Sequence, residues 1–184
     1  MRVGGGKGKG SSFERKVCEL LSLWITHNER KDCFWRSAMS GGRATVIHKR
    51  GGQNRQAGDI CSVAPEGHVL TDKFYFECKH YRNIGLETFI LRGKGPIAGW
   101  WREACKRAKQ QRKEPVLIAK GNNMPTIVIT KPNSMFDQKP VARLGWSCNI
   151  GLLDRILKTR FEGVTPKKRK TILVFPGDPD LELK

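Results

Sequence analysis

Residues 58–79 read GDICSVAPEGHVLTDKFYFECK. Two segments suited to strands stand out, Asp59–Ala64 and Val69–Tyr81, parted by the turn-like Pro65-Glu66-Gly67. The pattern predicts two strands joined tightly enough to be neighbours. Successive side chains of a strand point to opposite faces, so Phe74, Phe76 and Cys78 share one face and Tyr75, Glu77 and Lys79 the other. Asp59, on the preceding strand, is then placed to meet Glu77.

That convergence predicts a chemistry. Two carboxylates brought close together repel, and a proton or a cation must relieve them. Mg²⁺ does so with oxygen ligands and keeps waters for substrate phosphates, and Mn²⁺ is expected to substitute. The backbone carbonyl of Cys78, lying between the two side chains, faces sideways and offers a further oxygen. Lys79 beside the metal would orient an attacking water and steady developing negative charge. Asp72 competes with Asp59, but it sits too far along the strand that carries Glu77. His80 faces opposite Lys79 and is expected in packing.

Outward from this stretch, Ser11 and Glu14 fit a capping box, from which Phe13, Val17, Leu20, Leu21 and Trp24 follow at helical spacing. This helix is expected to end near His27–Asn28. Cys33–Ala38 reads as a strand. Residues 39–58 read as a long basic loop with a possible brief strand at Ala44–His48. Beyond Tyr81, residues 82–95 read as loop, and Pro96 opens a helix whose buried stripe is Ile97, Trp100, Trp101, Ala104 and Ala108. Gln110 or Gln111 on that helix is a candidate to face the site. The apolar runs at residues 115–119 and 126–130 predict buried strands. Residues 151–161 suggest a late helix and 171–175 a last strand, after the basic run Lys167–Lys170. The order predicts an α/β fold, a central mixed β-sheet flanked by helices.

The bulk composition agrees with one function class. The 184 residues fit a single domain, and Lys plus Arg number 35 against 17 acidic residues, a net charge of +18. Such an excess answers a polyanion, with DNA and RNA the obvious candidates. A membrane partner would need a basic amphipathic helix or an apolar span, and neither is visible. The six cysteines are scattered without a CxxC pair, which argues against structural zinc and for reduced thiols in a reducing cytoplasm. Lys7, Lys9, Arg15, Lys16, Arg36, Ser40, Arg43, Lys49, Arg50 and Arg55 are the candidate DNA contacts.

Gly58-Asp59-Ile60 followed by Glu77-Cys78-Lys79 resembles the PD-(D/E)XK nuclease superfamily. The stretches KGSSFERKVCELLSLW and FWRSAMSGG resemble the opening helix, strand and Ser-Gly loop of Holliday-junction resolvases in that superfamily, so the likeness covers residues 9–80. It implies a restriction-endonuclease-like core, with Asp59, Glu77 and Lys79 as acid, acid and base and Glu14 as a supporting helix carboxylate and metal ligand. Gly58 departs from the motif, which has Pro there. The expected layout is a flexible basic arm at 1–10, a nuclease core at 11–131 and a C-terminal extension at 132–184. The expected activity is Mg²⁺-dependent cleavage of branched DNA, a four-way junction foremost, by a homodimer whose two-fold axis matches the junction. The alternatives are another nuclease of the same fold (nicking, restriction or repair), a nonenzymatic DNA-binding protein and an RNA-binding protein.

Overall fold

The structure, a computed structural model, describes residues 5–37, 56–136, 142–144 and 148–162. Its centre is a five-stranded mixed sheet in the order β4-β5-β6-β8-β7. The strands are β4 (Phe74–Tyr81), β5 (Glu114–Gly121), β6 (Ile127–Thr130), β7 (Ala142–Leu144) and β8 (Cys148–Leu152). Only β4 and β5 are parallel, in register from Phe74↔Glu114 to Tyr81↔Gly121; the other pairs are antiparallel. A small antiparallel sheet is built from β1 (Phe34–Arg36), β2 (Gln56–Ala57) and β3 (Ile60–Ser62), in the order β1-β3-β2.

Both faces of the central sheet are buried, which is why β5 and β6 read as continuous apolar runs. Val116, Ile118 and Val128 point to one core, where α1 (Gly5–Ile25) inserts Phe13, Val17, Leu21 and Trp24. Phe136 joins that core against Trp24, Phe74 and Phe76, with ring centroids 5.1–5.9 Å apart. Leu117, Ala119, Ile127 and Ile129 point to the other core. There they meet Phe89 of α3 (Leu86–Arg92) and Ile97 and Trp101 of α4 (Pro96–Gln110). The short α5 (Leu153–Leu157) packs Leu153 and Ile156 on the first face. No helix among the described residues is long and apolar enough to cross a membrane.

The elements depart from the sequence reading in several places. Helix α1 begins at Gly5, so Ser11 lies inside it and caps nothing: its hydroxyl donates to the Gly8 carbonyl at 3.4 Å, and Glu14 pairs instead with Arg36. Pro65–Thr71 is not a turn but a helix, α2, with Pro at its start, Glu66 in its first turn, and Gly67, Leu70 and Thr71 buried. A Cβ on Gly67 would lie 2.9 Å from both the Cys33 carbonyl oxygen and the Phe34 ring, so the helix rests on the small sheet at van der Waals contact. Because a helix intervenes, β3 is not hydrogen-bonded beside β4; the contact between the two stretches is a parallel bridge, Gly58↔Phe76. Residues 82–95, expected as loop, contain α3. Residues 151–152, expected to start the late helix, end β8 instead, which continues the central sheet past residue 131.

Helix α1 is tied to the small sheet through Ser22. Its fully buried hydroxyl donates to the Cys18 carbonyl at 2.8 Å and accepts from the amides of Cys33 and Phe34 at 3.1 and 3.2 Å. Each amide left without a partner costs about 1–3 kcal/mol. Ser22→Ala is therefore expected to lower the unfolding free energy by at least 1 kcal/mol and to loosen β1. Urea denaturation with an unchanged m-value measures it, and a loss under about 0.5 kcal/mol, the range of a surface substitution, would count against this role.

Candidate active site

The free edge of β4 holds the site. β5 covers one edge of β4, and the Phe76 carbonyl and Cys78 amide point away from it. Residues 58–59 occupy that other edge in place of a strand. The Asp59 amide donates to the Phe76 carbonyl at 2.8 Å, and the Asp59 Oδ2 accepts from the Cys78 amide at 2.7 Å. The Ser37 amide, just past β1, donates to the Asp59 carbonyl at 2.8 Å. Asp59 is thus fixed by its amide, its carbonyl and its carboxylate together.

Gly58 makes this approach possible. Its φ is +80°, and a Cβ there would lie 2.0 Å from the Phe76 carbonyl oxygen. Proline, locked near −65°, cannot take that conformation. The departure from the motif follows from the close crossing of two backbones.

Glu77 lies on the α4 face of β4, 5% exposed. Lys79 Nζ donates to its Oε1 at 2.5 Å, and the Tyr75 hydroxyl donates to its Oε2 at 3.2 Å. Arg107 of α4 stands 3.9 Å from the same Oε2 and bonds Glu103 at 2.9 Å. Tyr75, Glu77 and Lys79 share a face, as alternation requires. Phe74, Phe76 and Cys78 face α1.

The electrostatics follow from this crowding. Burial raises the Asp59 carboxyl, the neighbouring Glu77 raises it further, and together they outweigh the Cys78 amide and Lys79, leaving it at about 7. Burial pulls Lys79 down, but its bond to Glu77 and the attraction of both carboxylates prevail, so it stays charged with a raised pKa. Burial pushes the Cys18 thiol up to about 12 and the Cys78 thiol well above its ordinary value, so both act as small apolar packing groups.

The donor set fits a hard divalent cation. It comprises the Asp59 and Glu77 carboxylates and a backbone carbonyl. Within a strand the amide and carbonyl of one residue point to the same edge, so the Cys78 carbonyl shares the edge at which its amide meets Asp59. Among the described residues, no three or more His, Cys, Asp or Glu residues form a group able to hold a metal ion. One or two carboxylates completed by substrate phosphate and water is the usual Mg²⁺ arrangement.

Other candidates fall elsewhere. Glu14, 20% exposed at its side chain, is held by Arg36 Nε at 3.1 Å, yet its charge still reaches Asp59. Arg36 is therefore an ion-pair partner in this structure. Arg15 and Lys16 are exposed on α1, where Lys16 pairs with Glu19 at 3.0 Å. Asp72 caps the end of α2, and the His80 ring packs 5.4 Å from that of Phe13. Gln110 is exposed and Gln111 caps α4; the residue of that helix that faces Glu77 is Arg107. Ser40, Arg43, Lys49, Arg50, Arg55, the brief strand at 44–48 and all residues from 163 onward lie outside the described residues, as do the side chains of Lys7 and Lys9. Sequence reasoning missed Arg107 and Tyr75. Arg107 lies off the apolar stripe of α4, and only the α4–β4 packing shows that it meets Glu77; strand alternation gives Tyr75 its face but not its bond to Glu77.

A model of the family described as "Phage putative PDDEXK endonuclease" matches residues 5–150, a span that contains Glu14, Asp59, Glu77, Lys79 and Arg107. Comparison with curated proteins and with solved structures gives no match.

The raised pKa of Asp59 gives a signed prediction. In the folded state its carboxyl holds a proton to about pH 7, whereas an unfolded aspartate releases it near its ordinary value of 3.8. Between those values the folded state binds more protons, so stability falls as pH rises, and the penalty is complete above about 7. Asp59→Asn keeps an oxygen for the Cys78 amide and does not ionise. In metal-free buffer its stability relative to wild type should improve from pH 4 to pH 7 and then level off. Thermal melts across that range would contradict the assignment if the difference were flat.

Proposed function

The chain belongs to the phage PDDEXK endonuclease family, and we propose that it is a Mg²⁺-dependent endonuclease of branched DNA, a four-way junction foremost, acting as a homodimer in the host cytoplasm. The observation that carries the catalytic part is the fixing of Asp59 to the edge of β4 at Phe76 and Cys78, the two residues that flank Glu77, with Cys78 also adjacent to Lys79. The junction reading rests on the likeness of residues 9–80 to Holliday-junction resolvases and on the net charge of +18.

Asp59, Glu77 and the Cys78 carbonyl would hold the cation. When bound, it supplies Lewis-acid charge at the scissile phosphate and lowers the pKa of an attacking water. Lys79 stands beside Glu77 with its ammonium charged, placed to orient that water and to neutralise charge that develops on the phosphate. Arg107 and the Tyr75 hydroxyl hold the Glu77 carboxylate from the α4 side and limit its rotation. Glu14 is a supporting carboxylate, restrained by Arg36 until a ligand competes for either. A two-fold dimer would present two such sites with the symmetry of the junction, and paired cuts on opposing strands would follow.

The test is cleavage of four-way junctions, linear duplex, single strands and RNA, with Mg²⁺, with Mn²⁺ and in EDTA. Wild type should cut the junction with either metal and nothing in EDTA. Glu77→Gln should abolish cleavage while leaving DNA binding, and Lys79→Ala should slow it about 10²–10⁴-fold. Full activity in Glu77→Gln would remove the site; equal cleavage of all DNA forms would remove the junction preference and leave a plain nuclease. Sedimentation on and off junction DNA should show a dimer, and a monomer in both would end the paired-cut reading.

Binding should also weaken steeply with salt. Six to ten phosphate contacts lose roughly 10³–10⁵ in affinity between 50 and 200 mM salt. Titration of binding against salt checks this, and a flat response would contradict recognition through the backbone phosphates.

A further inference from the structure

Tyr81 ends β4, two residues beyond Lys79 and on the same face of the strand. It is 53% exposed, although most aromatic rings among the described residues are packed. Its ring lies nearly parallel to that of Trp100, 22° between planes and 5.0 Å between centroids. Trp100 is itself anchored against the core that Ile97 and Trp101 share with the sheet. The tyrosine is therefore held from behind by a stacked indole and open in front.

The position of this pair relative to the catalytic groups is fixed by two elements. Along β4 the face reads Tyr75, Glu77, Lys79, Tyr81. Along α4, Trp100, Glu103 and Arg107 recur at helical spacing, with Trp100 meeting Tyr81 and Arg107 meeting Glu77. The aromatic pair and the carboxylate site are two ends of one track. At about 3.3 Å per residue, the backbones of Tyr81 and Lys79 are roughly 7 Å apart. A DNA strand whose scissile phosphate lies at Lys79 can therefore bring a neighbouring nucleotide to Tyr81. Exposed Arg82 follows Tyr81 directly and adds a cation at the end of the strand.

An aromatic face open to solvent beside a phosphate-cutting site fits a nucleobase. Bases inside a duplex are stacked on each other and give no face to a side chain; an unpaired one does. We infer that Tyr81, backed by Trp100, is a base-stacking platform that receives an unpaired nucleotide adjacent to the scissile phosphate and so selects DNA with unpaired or branch-point bases over continuous duplex. This rests on the nuclease reading above and supplies a structural basis for its preference.

The experiment uses the full chain in EDTA, so that binding is read without cleavage. Two probes of equal length are compared, a continuous duplex and the same duplex with a short unpaired segment carrying 2-aminopurine. Wild type should quench the 2-aminopurine on binding and prefer the unpaired probe. Tyr81→Phe should retain both properties. Tyr81→Ala should lose the quench and lower the ratio of the two affinities by about 5–100-fold. Tyr81→Leu, which keeps apolar bulk without a π face, should behave like the alanine variant, and circular dichroism checks that both are folded. A quench that survives Tyr81→Ala, or affinity lost equally for both probes, overturns the platform. Cleavage of any DNA by wild type with Mg²⁺ or Mn²⁺ is scored separately: if none occurs while the quench depends on Tyr81, the platform stands and the nuclease reading fails.

Discussion

Two hydrogen bonds between Asp59 and the edge of β4 organise this molecule, one through the Asp59 amide and one through its carboxylate. An exposed strand edge is a row of unpaired donors and acceptors that must be covered or paired. Here the edge opposite β5 is met by residues 58–59, so the contact that covers the edge also positions the Asp59 carboxylate. The Cys78 amide, which would otherwise lack a partner, orients the carboxylate beside Glu77. The small sheet is arranged around this contact: the turn through Gly58 leads into β3, β1 pairs with β3, and the Ser37 amide secures the Asp59 carbonyl.

The crowding that results is costly in isolation. Asp59 and Glu77 are both buried, and the pKa of Asp59 shows how poorly the folded protein tolerates both charges there. Lys79 and Arg107 compensate Glu77, while Asp59 receives only an amide and the more distant Lys79. Burial is the first cause of the raised Asp59 pKa and Glu77 the second, and the cations stand at Glu77 rather than at Asp59, so Asp59 is the carboxylate that a divalent cation would relieve. Proteins with strained or electrostatically unfavourable local arrangements tend to place them at functional sites.

Much of the architecture was legible in order and type. Long segments with strong periodicity read correctly: the apolar stripe of α1, the alternation of β4, the continuous runs of β5 and β6, and the helix opened by Pro96. The errors fell where signals were short or ambiguous. Pro65-Glu66-Gly67 has a turn composition, but Pro also suits the first turn of a helix, and the burial of Leu70 against the small sheet tips the segment to α2. Ser11 and Glu14 match a capping box, yet the helix starts earlier, and the Arg36 side chain takes the glutamate.

The sequence by itself determined which groups are present and which faces they share. Strand alternation is a local property, so Glu77 and Lys79 are on one face whatever packs around them, and the apolar runs demand a sheet buried on both sides. The tertiary structure decided what meets those groups across chain separations that no period encodes. Arg107 reaches Glu77 because α4 packs antiparallel on the parallel β4–β5 pair, and Tyr81 is backed by Trp100 for the same reason. Gly58 replaces the motif's proline because two backbones cross there at contact distance, a constraint set by the position of Phe76 and invisible in the dipeptide itself.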